Sequence, residues 1–571
     1  MKKYFMIFMS CVFIFGGQIS KAQLVRQKSE SVKSQANLDW YNCSPEKDGI
    51  LGADINRAYE FLKGKKVKHR PVIAVVGGGL DIEHEALKSN IWTDKREKED
   101  GKDNDKDGYI DDIHGWNFIG GKDGRVMEYT LREGDREFMR LKDKWGRIIH
   151  NKGQFFSYAD GKKVVINPPE DMDEYFYYRN RVMYESPLAG AYGGTMLGYI
   201  VQEYARKFDK EMRVRFPEKT TFTAKELAAC WDPNGEQDTL ANLAMNMLGY
   251  AFGFSTGKDW DAIYKSFMAD SYIEQTKNTY KNLYDRSGND QRKEIVGDDY
   301  LDINDRVYGN NVLLTSNAGS GTMMAGIIAG KRGVEGRNNP ISEVAEIMPI
   351  VISGAKGEPY LKDVALAIRY AVDHKADVII LPQQNSFYPE AQKIWVSEAI
   401  RYAEQKGVLV IVPAWELSYD LSLVTFYPNR WMDGKEEMTN LMVISSSDKN
   451  GNPSMKSSFG EKEVDMYAPG IDILSTYTGD TYQSGSGVML ATSMVAGVAA
   501  LVKSYYPELT GAQIRTILLE SVTSRKGIEV EKEIRVAQQV TQDLFLFEQL
   551  CLSAGILNAY NALVVAEKMK K

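Results

Sequence analysis

Alternating carboxylates make residues 103–112, DNDKDGYIDD, resemble a metal-binding loop. Aspartates stand at every second position from the start, and Gly108 permits a sharp turn, as in the first half of an EF-hand calcium loop. The twelfth position, usually Glu, is His114, so a later aspartate would have to complete the site. The sequence predicts a calcium site, the alternative being a solvated acidic loop. The candidate oxygen donors are Asp103, Asp105, Asp107, the carbonyl of Tyr109, Asp111 and Asp112.

A second stretch, NAGSGTMMAGIIAG (317–330), has the form of a Gly/Ser turn that leads into a helix of small residues. Sharp turns at the start of a helix commonly carry catalytic side chains. However, no side chain between Asn317 and Gly330 can accept a proton near neutral pH. The stretch therefore has the form of a catalytic turn without a catalytic base.

Short apolar runs rich in β-branched residues alternate with helical patterns along much of the chain. One helical pattern is LKDVALAIRYAVDH (361–374), and another ends before Gly407, a typical C-terminal cap. Strands that are apolar throughout, alternating with helices, indicate a mostly parallel sheet covered on both faces. The predicted fold class is therefore α/β, a doubly wound sheet flanked by helices. The predicted strand regions are 72–90, 343–354, 376–383, 407–414 and 441–447.

Residues 122–297 interrupt this alternation. They are rich in Tyr, Met, Lys and Glu and contain helical patterns such as EDMDEYFYYRNRVMYE, whereas continuous strand patterns are hard to find. We predict a large, mainly helical insertion in the α/β domain. The aromatic run at 175–178 fits either packing between insertion helices or a ligand surface.

Several segments, in order along the chain, resemble the subtilisin-like serine proteases of the S8 peptidase family. The resemblance covers about residues 40–120 and 295–565, and it implies a subtilisin-like domain formed by 23–121 and 298–571. The segments that carry it are VIAVVGGGLDIEHEAL (72–87), SGTMMAGIIAG (320–330), GVLVIVPAWE (407–416) and GVMLATSMVAGVAAL (487–501).

The resemblance also relates the family's functional positions to residues of this chain. The aspartate that orients the base corresponds to Gly77, the general-base histidine to Ser320, and the nucleophilic serine to Met489. The asparagine of the oxyanion hole corresponds to Glu416, and the substrate-pairing segment to 382–384. None of these side chains can perform the family's step, and an ionised Glu would repel an oxyanion. The resemblance thus implies a protease fold with a degenerate catalytic triad.

The favoured interpretation is a non-catalytic binding or scaffold protein with a protein or peptide partner, in which the insertion carries the partner surface. An alternative is an active secreted serine endopeptidase with a rewired site, for which His84 is a candidate base. A third interpretation is an inert structural subunit of an envelope complex.

Charge and the N-terminal segment bear on location. The net charge of −7 and the lack of a basic patch argue against a nucleic-acid partner. Residues 1–22 read as a secretory signal peptide, after which no transmembrane segment is expected in the mature chain. Export to the periplasm, cell surface or medium of a bacterium follows. The remaining thiols, Cys43, Cys230 and Cys551, cannot all pair within one chain.

Overall fold

The structure is a computed structural model, and it describes residues 39–159, 161–229, 239–254, 259–287, 291–334, 337–536 and 539–569. The predicted signal peptide and Cys230 lie outside these residues. Cys43 and Cys551 are both unpaired.

The strands fall into one large sheet and three small antiparallel ones. They are β1 (Val72–Gly77), β2 (Trp116–Asn117), β3 (Ile149–Asn151), β4 (Gln154–Ala159), β5 (Lys162–Ile166), β6 (Glu346–Val351), β7 (Val378–Ile380), β8 (Leu409–Pro413), β9 (Leu441–Ser447), β10 (Met466–Pro469), β11 (Ile473–Tyr477), β12 (Thr481–Gly485), β13 (Thr523–Ser524), β14 (Glu529–Val536), β15 (Gln539–Leu546) and β16 (Gly555–Ile556).

The α-helices differ widely in length. They are α1 (Pro45–Asp48), α2 (Ile55–Leu62), α3 (Glu133–Trp145), α4 (Met172–Tyr177), α5 (Met183–Glu185), α6 (Pro187–Arg215), α7 (Ala224–Ala229), α8 (Thr239–Phe254), α9 (Trp260–Met268), α10 (Asp270–Ser287), α11 (Arg292–Ile295), α12 (Ala318–Ile328), α13 (Leu361–Asp373), α14 (Glu390–Gln405), α15 (Val488–Tyr505), α16 (Gly511–Glu520) and α17 (Ala559–Met569).

The described residues divide into two compact units, one within 131–289 and the other formed by 39–130 and 291–569. The larger unit contains the main sheet, in the order β13-β16-β10-β9-β8-β7-β1-β6-β2. Every neighbouring pair in it is parallel except β13 and β16. The predicted mostly parallel α/β sheet is confirmed.

Both faces of this sheet are covered by helices. Ile73 and Val75 of β1 pack into one apolar core with α12, α15, α16 and α17. Ala74 and Val76 point to the other face and pack with α13 and α14. Successive side chains of a strand alternate between faces, so a strand buried on both sides must be apolar throughout. Helix α15 is long and apolar enough to cross a membrane, but 83% of it is buried inside the structure.

The smaller unit is mainly helical, with α3 to α10, and it also contains the antiparallel sheet β3-β4-β5. The sequence pattern did not reveal this sheet because its strands are short and two of its apolar residues, Val164 and Val165, are exposed. In the aromatic run, Tyr175 and Tyr178 are buried, whereas Phe176 is 38% exposed. Two of these three rings therefore pack within the unit rather than face solvent.

A buried ion network lies where the chain re-enters the larger unit. Arg292 donates to both Asp298, at 2.7 Å, and Asp363, at 2.6 Å, while Lys362 Nζ lies 2.6 Å from Asp298. These four side chains are at most 3% exposed. The cationic side chains of Arg292 and Lys362 therefore both pair with the Asp298 carboxylate, in a buried region where water cannot take its place.

We expect Asp298→Asn to lower the free energy of unfolding by about 3 kcal/mol, because removing one member of a buried ion network leaves an uncompensated charge. Glu294→Gln makes the same charge change at a carboxylate that is 74% exposed and pairs with Arg125. It should cost less than about 1 kcal/mol. Urea and thermal denaturation of the purified chain would measure both. Equal effects would contradict the role of the network.

Candidate functional site

Two of the predicted functional positions lie at the carboxyl ends of two strands of the main sheet. Gly77 is the last residue of β1, and Glu416 follows β8, with β7 between the two strands. A Cβ atom placed on Gly77 would meet no atom within 4 Å. The carboxyl edge of a parallel sheet is the usual place for ligand and catalytic groups. The position thus has room for a side chain that this residue does not supply.

Helix α12 begins beside the turn that follows β1. A Cβ on Gly321 would lie 2.1 Å from the carbonyl oxygen of Gly79, so only glycine permits this approach. The hydroxyl of Thr322 accepts a hydrogen bond of 3.0 Å from Asp81 N–H. The contact brings Ser320, in the first turn of α12 and with an exposed side chain, to the edge where β1 ends. The predicted base position and the predicted orienting position are therefore neighbours.

Met489 is the second residue of α15. Its side chain is half-buried and packs against the apolar core, and its carbonyl accepts a 3.0 Å hydrogen bond from the Ser493 hydroxyl. The helix is preceded by Gly487, whose φ of 152° favours glycine. Ser493 is thus used within the helix, one turn further along.

Glu416 occupies the N-terminal end of α15. Its Oε1 accepts a hydrogen bond of 3.1 Å from the backbone N–H of Val488, the first residue of the helix. The first N–H groups of a helix have no partners within it and attract anions. Burial raises the pKa of Glu416, against the Val488 hydrogen bond and the charge of Lys456, which lower it. The Glu416 side chain therefore occupies the backbone N–H of Val488, a donor that lies at the carboxyl end of the main sheet.

The two glutamines of the segment 382–384 form side-chain hydrogen bonds with backbone carbonyls of the protein. Gln383 Nε2 donates to the carbonyl of Ala414 at 3.1 Å, and Gln384 Nε2 donates to that of Pro428 at 2.8 Å. Both side-chain amides are committed to internal hydrogen bonds.

The five histidines have other roles. His84 is fully buried, accepts from Ala86 N–H through Nδ1 and lies 3.1 Å from the carbonyl of Thr481 through Nε2. His69 pairs with Asp377 at the opposite edge of the sheet, and His150 stacks on Phe155 in the smaller unit. Both nitrogens of His84 are therefore engaged in fixed hydrogen bonds.

The other two histidines lie near the acidic loop. His114 Nδ1 is 2.9 Å from the Trp92 carbonyl and 3.3 Å from the Thr93 hydroxyl. His374 caps the C-terminal end of α13. Across the described residues, no histidine hydrogen-bonds a serine hydroxyl.

The structure places the predicted metal ligands in overlapping groups, since Asp105 lies near Asp94 and His374 and also near Glu97 and Asp103. The carboxylates of Asp105, Asp107 and Asp112 turn toward His374. The Asp103 carboxylate accepts the backbone N–H groups of Lys106, Asp107 and Gly108, and that of Asp111 accepts those of Asp100 and Gly101. The Tyr109 ring is buried against Trp116, Phe118 and Tyr370.

Sequence reasoning missed His374, Asp94 and Glu97 as neighbours of this loop. His374 is more than 250 positions away in sequence, so only the fold relates it to the aspartates. The one available signal was the position of His374 at the end of an amphipathic helix predicted to precede a strand.

Comparison with known proteins identifies relatives of the larger unit. A profile described as "Subtilase family" matches residues 68–536. "Thermostable alkaline protease" of Halalkalibacterium halodurans is 31% identical over 36% of this chain and 53% of its own length. "Subtilisin BL" of Lederbergia lenta is 32% identical over 36% of this chain and 71% of its own length. The chain thus spans about half the length of the first of these relatives.

Solved structures give weaker likenesses. The prenylagaramide maturation protease PagA has a TM-score of 0.35 and 22% identity, over 43% of this chain and 82% of its own. The epidermin leader peptide processing serine protease (EpiP) of Staphylococcus aureus has a TM-score of 0.36 and 21% identity, over 45% and 66%.

The pH dependence of stability tests whether burial raises the pKa of Glu416. A carboxyl group whose pKa is raised in the folded state favours folding below its unfolded pKa, and this contribution is lost as the pH rises through the folded value. Gln keeps an acceptor for Val488 N–H but does not ionise. We therefore expect the stability of Glu416→Gln, relative to the unchanged protein, to increase as the pH rises above the ordinary Glu pKa of about 4.3. Thermal denaturation across this range would measure it, and a constant difference would contradict burial as the cause.

Proposed function

The chain belongs to the subtilase family, and on that premise we propose that it is an exported, catalytically inactive homologue that serves as a binding or scaffold protein. The observation that carries the proposal is the Glu416 carboxylate on the N-terminal N–H of α15. In a working subtilase, as the resemblance implies, this end of the helix faces the negative oxygen that develops during peptide-bond cleavage. A resident carboxylate takes the donor and opposes the developing charge.

The same comparison of positions with the family also leaves the chain without a nucleophile. Met489 stands where the family has its nucleophile, and a thioether has neither a proton to lose nor the reactivity of an alkoxide. Its half-buried packing against the apolar core gives the side chain a structural role instead. Ser493 is the nearest hydroxyl along the helix, and it donates to the Met489 carbonyl.

The proton acceptor and its orienting carboxylate are missing as well. The exposed Ser320 hydroxyl cannot accept a proton near neutral pH, and Gly77 leaves open the space of an aspartate side chain. In subtilisin, removal of the triad lowers kcat by about 2 × 10⁶, and the residual rate comes from the oxyanion hole and binding. Here the oxyanion position is altered too, so even that residual should fall.

The alternative, an active endopeptidase with a rewired site, draws its support from relatives that are named as proteases. It needs a histidine or another base beside a hydroxyl. His84, the candidate base from the sequence, uses Nδ1 as an acceptor for Ala86 N–H and faces a carbonyl through Nε2. This arrangement favours the inactive interpretation.

The smaller unit supports a binding role. It exposes several large apolar side chains, of the kind that form protein interfaces where they lie together as a patch. The most exposed are Val214 at 70%, Tyr184 at 65% and Val165 at 58%. We propose that this unit contacts a protein or peptide partner in the bacterial cell envelope, reached by means of the N-terminal signal peptide.

We expect the purified chain to give no fluorophosphonate labelling above that of the heat-unfolded protein. Hydrolysis of denatured casein should be at least about 10⁶-fold slower than by an active subtilisin, because every group of the triad is replaced. An active subtilisin prepared in the same way is the positive control. Labelling of the native chain that a single substitution such as Ser320→Ala abolishes would instead establish a rewired enzyme.

A capture experiment tests the partner surface. We expect Tyr184→Ser combined with Val214→Ser to reduce, at least tenfold, the material that the full chain retains from a cell-envelope extract. The matched control, Leu423→Ser combined with Trp431→Ser, removes apolar groups that are 74% and 41% exposed on the larger unit. Retention unchanged by the first pair, or lowered equally by the second, would refute the assignment of the smaller unit.

A further inference from the structure

Four carboxylates surround the Nε2 atom of His374. Nε2 lies 3.0 Å from Asp107 Oδ2, 3.6 Å from Asp112 Oδ2 and 3.7 Å from Asp94 Oδ2. Asp105 offers an oxygen within 4.8 Å of a ring nitrogen of His374 and of an Asp94 carboxylate oxygen. The loop and the end of α13 therefore converge on a single nitrogen atom. All five residues belong to the larger unit.

Two polar atoms in this cluster are buried without a hydrogen bond. His374 Nε2 makes no hydrogen bond of good geometry among the described residues, although Asp107 Oδ2 lies 3.0 Å away, and its side chain is 3% exposed. Asp112 Oδ1 has no hydrogen-bond partner among these residues either, and its side chain is fully buried. Buried polar atoms almost always have partners, so a poorly satisfied nitrogen and an unpaired carboxylate oxygen in one buried cluster point to a ligand for both.

The tautomer of His374 decides what that ligand is. Nδ1 lies 2.9 Å from the Tyr370 carbonyl and can only donate to it, which leaves the lone pair of a neutral ring on Nε2. A lone pair directed at carboxylate oxygens is repulsive unless a positive centre lies between them. A histidine that donates through one nitrogen to a backbone carbonyl is the usual arrangement for metal binding through the other.

The charges of the cluster also favour a bound cation. Arg96, 57% exposed, pairs with Asp94 at 2.5 Å and with Asp105 at 2.8 Å. The Tyr370 hydroxyl donates to Asp112 Oδ2 at 2.6 Å. Four carboxylates against one guanidinium leave a formal charge of −3. Among the described residues, the one cationic side chain that pairs with Asp107 or Asp112 is His374, when it is protonated.

We propose that His374, Asp107 and Asp112, together with Asp94 or Asp105, bind a divalent zinc-class metal ion through one nitrogen and several oxygen atoms. Ca²⁺ takes oxygen ligands, whereas imidazole nitrogen suits Zn²⁺ and similar ions. Bonds of about 2.05 Å to a tetrahedral Zn²⁺ place ligand atoms roughly 3.3 Å apart. The spacings of 3.0 to 3.7 Å around Nε2 bracket that value.

This site differs from the calcium loop expected from the sequence. It keeps three of the predicted aspartates and adds His374 and Asp94, while Asp103 and Asp111 serve backbone N–H groups. Glu97 Oε1 accepts the N–H groups of Asn104 and Asp105, which orients the loop that supplies the ligands. Bound metal joins this loop to the end of α13.

The test uses the untagged full chain after removal of metal with a chelator. Titration calorimetry should give an affinity for Zn²⁺ at least tenfold higher than for Ca²⁺, and Zn²⁺ should raise the melting temperature. Co²⁺, which replaces Zn²⁺ in such sites, should produce visible absorption bands. Tighter binding of Ca²⁺ than of Zn²⁺, or binding of neither ion, would overturn the proposal.

Variants distinguish the nitrogen ligand from a general effect of charge. We expect His374→Gln and Asp107→Asn each to lower the Zn²⁺ affinity at least tenfold and to change the Co²⁺ spectrum. His150→Gln, in the smaller unit, is the matched control and should alter neither. Because Asp107 is 25% exposed, its variant remains informative if His374→Gln fails to fold. Full Zn²⁺ affinity in a folded His374 or Asp107 variant would contradict the assignment.

Discussion

A parallel sheet covered by helices on both faces has room for polar chemistry only where its strands end. In β1, alternate residues point into two different apolar cores, so neither face can hold a charged group without a partner. Gly77, Glu416 and the start of α15 all lie at the same edge for this reason. The framework is maintained by the burial of its apolar strands, and it does not depend on which side chains stand at that edge. A subtilase fold can therefore persist when its catalytic groups have changed.

The framework was the part of the molecule that the sequence predicted best. Continuous apolar runs such as 407–414 could only be buried strands, and they lie in the main sheet. The sheet β3-β4-β5 was missed, because strands of three to six residues with exposed Val164 and Val165 leave little periodic signal. The limits of the smaller unit also differ from the predicted 122–297, since residues up to 130 and from 291 pack with the larger unit.

The candidate site was predictable as a set of residue types but not as a set of contacts. The position of Glu416 followed from the resemblance, whereas its hydrogen bond to Val488 N–H depends on the placement of α15 beside the end of β8. In the acidic loop, alternation alone could not distinguish Asp103, which binds backbone N–H groups, from Asp107, which faces His374. Contacts between residues far apart in sequence are decided by the tertiary fold.

Hydrogen bonds join the segment at which the chain leaves the larger unit to the segment at which it re-enters it. Gln291 accepts hydrogen bonds from Glu128 N–H and Tyr129 N–H, so the departing and returning segments are joined before 131–289 begins. Arg292, the next residue, is anchored by Asp298 and Asp363. The two ends of the insertion are thus secured by groups outside it. Segments of other lengths and compositions could be exchanged at this junction during evolution while the protease-like framework kept its own fold.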